Sequence, residues 1–258
     1  MFKRNVYLLT LLSLLITTGC QQPPHNTAHQ HSTIDALLAG VYDGNITCSE
    51  LTRYGDFGIG TFDKLDGEML LLANHLYQIK SDGKVYTPPL SITTPFATVC
   101  RFQPELSFDT KEGQNFDAIK IQISKTTGNP NLFYAIKITG RFKTMHTRSV
   151  PVQSKPYPSL KTVADHQPEF HMQDVEGTIV GFKCPEYVKG INVPGCHLHF
   201  LSRDKTQGGH IMDFEIISGR CEIDMLDRYT LTLPSQAQGF AETDLSIDRS
   251  QELKSVEQ

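Results

Sequence analysis

The stretch GCHLHFLSRDKTQGGHIMDFE, residues 195–215, constrains the fold more than any other part of the chain. Its first half alternates like a strand, and on a strand residues i and i+2 share a face. His197 and His199 therefore project together, while the neighbouring Cys196 turns to the opposite side. SRDKTQGG then reverses the chain. A hairpin centred between Asp204 and Lys205 sets His199 directly opposite His210, on the same face. Gly208-Gly209 permits a tight approach just before that third histidine. Two adjacent strands thus deliver three imidazoles to one point. Three histidines with an open fourth position match catalytic zinc sites, whereas structural sites are usually closed by four ligands. Zinc is the expected metal, although imidazole also suits copper, nickel and iron. The plainer alternative is three core or surface histidines with no metal.

The rest of the chain reads as strand-rich. YGDFGIGTFDKLDGEMLLLANHLYQIKSDGKVYTPP is a run of short strands, with Asp66-Gly67 and Asp82-Gly83 as hairpin turns. NLFYAIKITGRFKTMHTRSVPVQ is rich in Phe, Ile, Tyr and Thr, and Pro151 should end that strand. Further strands are expected at GTIVGFKCP, GCHLHFLS, HIMDFEII, CEIDML and YTLTLP. Helices are few: a short one after the N-cap candidate Thr33, ending near Gly40, and a longer one within TKEGQNFDAIKIQISKTTGN. This pattern predicts an α+β fold with mixed or antiparallel β-sheets, in two parts if the seam below divides it, the metal site lying on a β-hairpin. A single domain is expected over residues 33–258, with a seam near 151–160 where SKPYPSL interrupts the pattern. Apolar residues make up 39% of the sequence, with 14 Phe and 9 Tyr, enough for a sizeable core.

The N-terminus carries an address. A basic MFKR precedes the apolar VYLLTLLSLLI, too short to span a bilayer comfortably, so residues 1–19 read as a signal peptide. ITTGC resembles a bacterial lipobox with Cys20 as the lipidated residue, although Thr17 stands where Leu is usual. The expectation is an exported lipoprotein, anchored at the cell envelope through Cys20, with simple cleavage nearby or an uncleaved anchor as the alternatives. Residues 20–32 read as a polar linker, with His29 and His31 as solvated residues. Five cysteines remain in the mature chain, Cys48, Cys100, Cys184, Cys196 and Cys221, so at least one thiol stays free and no pairing is legible. The formal charge of −4 becomes about −6 once the two positive charges of the leader are removed. No Lys/Arg block is present, which argues against nucleic acid as a partner.

Other polar residues stand out less. If a loop spans Phe62 to Gly67, Thr61 and Glu68 face each other across a hairpin. Arg148 shares a strand face with His146 and Thr144. By spacing alone Glu68 is an edge residue, Arg148 a surface charge, and the tail RSQELKSVEQ a frayed terminus.

Together these segments resemble the α-acetolactate decarboxylases. The resemblance rests on YGDFGIGTFDKLDGEM, NLFYAIKITGRFKTMHTRSVPVQSKPYP, GTIVGFKCP and GCHLHFLSRDKTQGGHIMDF, with LLAGVYDG near the start, and covers residues 33–257. It implies a zinc site on His197, His199 and His210, and functional roles for Glu68, Arg148 and Thr61. It also implies a glutamate from the C-terminal tail, best matched by Glu257, and a homodimer. The implied reaction converts α-acetolactate into acetoin and carbon dioxide. In the reaction the resemblance implies, zinc would chelate the substrate's hydroxyl and ketone oxygens and stabilise an enediolate. No organic cofactor is needed, because the substrate's own ketone accepts the electrons. Guanidinium groups stay protonated in proteins, so Arg148 is assigned to binding the carboxylate, and proton handling to Glu68 and Glu257. Two other readings compete: an exported zinc hydrolase with Glu68 as base, and a non-catalytic zinc-binding lipoprotein with no need for Arg148.

Overall fold

A computed structural model describes residues 25–257. The expected leader and Cys20 lie outside the described residues. In chain order the elements are β1 (Thr27–His31), α1 (Ile34–Leu38), β2 (Ile46–Thr47), α2 (Cys48–Leu51), β3 (Phe57–Thr61), β4 (Glu68–Leu72), β5 (His75–Ile79), β6 (Val85–Tyr86), β7 (Thr93–Thr94) and β8 (Ala97–Cys100). There follow β9 (Leu106–Asp109), β10 (Gln114–Asn115), α3 (Phe116–Thr127), β11 (Phe133–Arg148), α4 (Leu160–Ala164), β12 (Glu169–Cys184), β13 (Gly195–Ser202), β14 (Gly208–Leu226), β15 (Arg228–Thr232), α5 (Gln238–Glu242) and α6 (Ser250–Glu257). One sheet has seven strands in the order β15-β1-β8-β3-β4-β5-β6. A second has six, in the order β10-β14-β11-β12-β13 with β9 beside β14. The pairing of β1 with β15 is parallel while their sheet is otherwise antiparallel, so the expected α+β fold with a mixed sheet is observed.

Local sequence explains the first sheet's hairpins. Thr61 pairs with Glu68 as the loop length requires. Gly67 adopts φ +83°, and a Cβ there would meet the Ile79 carbonyl oxygen at 2.2 Å, so the Asp-Gly turn needs its glycine. Asp66 then ties the turn to β5, its carbonyl accepting from Gln78 Nε2 at 2.6 Å. In the second sheet β13 pairs with both β12 and the start of β14, so the sheet curls back on itself. Its interior holds Ile136, Phe142, Met145, Phe200 and Phe214, and α3 packs on it through Ile119 and Ile123. Those two isoleucines are four residues apart and share a helix face. Asn115 starts α3 by accepting from the Ala118 N–H at 3.0 Å, and Gly128 ends it in the left-handed conformation. The other face of the curled sheet packs on the first sheet, through Ala135, Val180 and Phe182 against Ile59, Leu70 and Ile79. A third cluster joins α1, α4 and α6 through Ile34, Leu38, Leu160, Leu253 and Val256.

Four expectations need correction. The linker assigned to 20–32 contains β1, which is inserted between β15 and β8. His31 is buried and bonded to the Asn45 side chain, while His29 is half-buried and stacks on Tyr54, so neither is a solvated linker residue. Polar alternation with buried backbone hides this strand, because its partners come from distant sequence. The seam at 151–160 does not part the sheets, since β11 and β12 on either side of it pair from Tyr134↔Lys183 to Arg148↔Glu169. HIMDFEII and CEIDML form one strand, β14, because Gly219 meets Gly140 and the ladder runs through the Ser-Gly interruption. The tail is no frayed end but the helix α6, with Leu253 and Val256 buried. All five cysteines of the described residues are free thiols.

Asp224 shows one cost of the two-sheet packing. It is 1% exposed on β14, accepts from the Gln103 N–H at 2.8 Å, and its Oδ1 has no partner. Burial raises its carboxyl to about 6. The folded state therefore holds this proton more tightly than the unfolded chain does. The group's contribution is most favourable at low pH and is lost as pH rises through that value. Asp224→Asn is expected to raise the melting temperature at pH 7.5 by roughly 3 °C, about 1 kcal/mol, and to change it little at pH 4.5. Equal effects in melts at both pH values would contradict this account.

Candidate metal centre

His197 and His199 project from one face of β13, and His210 of β14 lies opposite His199 in the ladder. The three ring centroids lie 4.9–5.5 Å apart, and one nitrogen from each ring falls within a common 4.8 Å. Cys196 faces the other way and packs against the curled sheet's interior, as strand alternation demands. His199 Nδ1 lies 2.8 Å from the Met69 carbonyl oxygen, which can only accept, so the ring proton sits there. Its Nε2 is left as a buried lone pair without a partner.

Burial, reinforced by the Arg148 charge, pushes His197 down to about 3. Burial and the neighbouring His197 do the same to His199, also to about 3. His210 lies well below its ordinary value, first through burial and then through Arg148. All three rings are neutral at physiological pH, the form that binds metal. Carboxylate oxygens nevertheless crowd them. Glu257 Oε2 lies 3.6 Å from His197 Nε2 and 3.8 Å from His210 Nε2, while Glu68 Oε2 lies 3.5 Å from His199 Nε2. With neutral rings these are not ion pairs, and the spacings are too long for hydrogen bonds. Acceptors facing acceptors in a buried site call for a cation between them. Tetrahedral bonds to zinc place ligand atoms roughly 3.3 Å apart, close to these separations. The residues present therefore fit a divalent metal.

Arg148 ends β11, opposite both His210 and Glu169. It is 3% exposed, its Nη1 donates to Gln167 Oε1 at 2.7 Å, and its Nη2 lies 3.6 Å from Glu257 Oε1. A buried guanidinium is seldom a surface charge out of place, and here it points into the site. Glu68 accepts from the Val150 N–H at 3.3 Å. Burial raises its carboxyl to about 7, against the opposing pull of Arg148 and with help from Glu257. Glu257 is likewise raised by burial, opposed by Arg148 and His199. Thr61 donates its hydroxyl to the Gly67 carbonyl at 2.7 Å, so it closes the β3–β4 loop while its side chain borders the site.

These groups surround a cavity of about 40 Å³. Arg148, Glu68, His197 and Glu257 form its polar side, and Ile34, Leu37, Leu160 and Val256 part of its apolar side. A wider groove of about 710 Å³ runs past Arg141 and Arg203, but those cations are already paired with Asp174 and Glu176. The structure thus brings all seven sequence-predicted residues to one place. Sequence reasoning missed Gln167, which orients Arg148, and the apolar wall from α1, α4 and α6. Gln167 precedes β12 without any local signal, and the wall exists only once three short helices meet.

The chain is similar to known proteins along most of its length. The family model for alpha-acetolactate decarboxylase matches residues 28–247. The alpha-acetolactate decarboxylase of Methanosarcina mazei is 44% identical over 229 residues, covering 89% of this chain and 79% of that protein. Its counterpart from Methylococcus capsulatus is 42% identical over 228 residues, covering 88% and 87%. The crystal structure of alpha-acetolactate decarboxylase from Bacillus subtilis strain 168 superposes with a TM-score of 0.87 at 36% identity, over 90% of this chain and 99% of that one. With the family model matching residues 28–247 and a relative 44% identical over 89% of its length, the chain belongs to the alpha-acetolactate decarboxylase family.

Proposed function

We propose that the protein decarboxylates α-acetolactate to acetoin and carbon dioxide, using zinc held by His197, His199 and His210. The observation that carries this reading is a buried arginine beside three neutral, convergent imidazoles at a small, partly apolar cavity. The substrate is a small hydroxy-keto acid. Its carboxylate needs a cationic partner, its methyl groups an apolar wall, and its reacting carbon a proton. Arg148 is the cationic side chain lining the cavity, and Gln167 holds its Nη1 so that the remaining donors face inward. Ile34, Leu37 and Val256 supply the apolar surface that excludes water. Burial brings the Glu68 carboxyl to about 7, so it can take up and release a proton near neutral pH, which suits it to deliver one to the carbon that loses carbon dioxide. Glu257, also raised by burial, is the second carboxyl within reach. The metal, when bound, supplies Lewis-acid stabilisation of the negative charge that develops as the carboxylate leaves.

Glu257 beside His197 and His210 offers a fourth donor, as a zinc-carrying lipoprotein would require. Such a carrier has no use for a buried arginine aimed at the metal centre, and Arg148 decides against it. From the leader and ITTGC we further propose that the protein is exported and tethered through Cys20, and from the family resemblance that it acts as a homodimer. The test uses protein lacking residues 1–20 and racemic α-acetolactate, following acetoin and carbon dioxide. Turnover is expected to vanish on chelation and to return with zinc. Folded, zinc-loaded protein that yields no acetoin would overturn the assignment.

A further inference from the structure

The metal centre is built by a recognisable device: two ligands at i and i+2 on one strand, and a third directly opposite on the next. The same device occurs once more among the described residues. Glu169 and His171 share a face of β12, and His146 of β11 lies directly opposite His171 in the ladder. The geometry points to a second divalent-metal site formed by His146, His171 and Glu169, on the outer face of the curled sheet.

The arrangement is close to ligating. One nitrogen from each ring and one Glu169 oxygen all lie within 4.8 Å of one another. The two rings stack with centroids 4.1 Å apart and 20° between their planes. His146 Nε2 is 2.8 Å from Glu169 Oε2. A metal would replace that contact, needing only rotations of the two rings about their side-chain bonds. The strands supply rigidity, because Met145 and Met172, the adjacent residues on the opposite face, are buried in the sheet's interior. His146 and Glu169 are partly exposed, at 27% and 48% of their side chains, so an ion can enter from solvent. Asp213 lies opposite His146 on the other neighbouring strand, adding negative charge at the flank. Two imidazoles and one carboxylate suit zinc or copper rather than magnesium or calcium.

This site differs from the buried centre in exposure and in having solvent for its remaining positions. Weaker binding follows, since water competes for the ion and the free ligands lose freedom on binding it. The site does not depend on the proposed reaction. Its test counts zinc bound to the metal-stripped full chain by equilibrium dialysis, at free zinc from 0.1 to 100 µM. Two equivalents are expected, the second weaker than the first by roughly 100-fold or more. The double variant H146A/H171A should lose only the weaker equivalent and keep turnover after reloading the first. His197→Ala should show the converse, retaining the weaker equivalent. Glu169→Gln, which keeps size and both rings, should weaken the second step about tenfold. Copper added after one equivalent of zinc should give an electron paramagnetic resonance signal split by two nitrogens, absent from the double variant. A single equivalent in the unaltered protein, or a second one that survives H146A/H171A, would overturn the proposal and leave a surface hydrogen bond between His146 and Glu169.

Discussion

Arg148→Lys is expected to lower kcat by roughly 10²- to 10³-fold while zinc content stays at the level of the unaltered protein. Arg148 is not among the metal ligands, and its Nη1 is occupied by Gln167. What lysine loses is the planar fork. Its single ammonium cannot hold Gln167 and meet a carboxylate with two parallel hydrogen bonds at once. The positive charge remains in place, so the neighbouring histidines still feel it and stay neutral. The fold should also survive, because lysine's alkyl stem fills most of the same space at the end of β11. Steady-state acetoin production, read alongside metal content by atomic absorption, separates the outcomes. Near-normal turnover would remove Arg148 from the mechanism. Loss of zinc together with turnover would mean that the arginine acts by holding the metal site together.

Much of this site was legible in the sequence wherever a strand period and a short loop fixed the geometry. His199 faces His210, and Thr61 faces Glu68, because a hairpin with a known loop leaves no other register. Glu257 had no such support. Nothing in QELKSVEQ marks it, and only the family resemblance placed it in the site. The structure supplies the physical reason, namely that Leu253 and Val256 anchor α6 against α1 and α4 and leave Glu257 one position on, pointing inward. His29 and His31 failed in the opposite direction. Four polar residues and one alanine look like linker until β15, some 200 positions later, pairs with them. The curl of the second sheet was equally hidden, because it depends on β13 bonding to two strands at once.

Removing residues 250–258 is expected to lower kcat/KM by about 10³-fold or more, yet leave a folded protein. The helix α6 buries two apolar side chains, Leu253 and Val256. At roughly 1.5–3 kcal/mol each, and less after the entropy of ordering eight residues, its loss costs only a small part of the stability of a domain this size. The catalytic loss has several sources. Glu257 disappears from beside His197 and His210, so zinc is held less tightly. Arg148 loses the carboxylate at 3.6 Å and gains water, which weakens every charge interaction in the cavity. Val256 leaves the apolar wall. Glu257→Gln separates these effects, since it keeps the helix and the wall but removes the charge. Its kcat should fall about 10²-fold, with a melting temperature close to that of the unaltered protein. The two variants differ in one telling way. Excess zinc should rescue part of the glutamine variant's deficit, because its cavity is still closed, and little of the truncation's. Full turnover in the truncated protein would show that neither α6 nor Glu257 belongs to the working site. An equal response of both variants to zinc would reduce the tail to a fourth metal ligand, with no part in keeping water out.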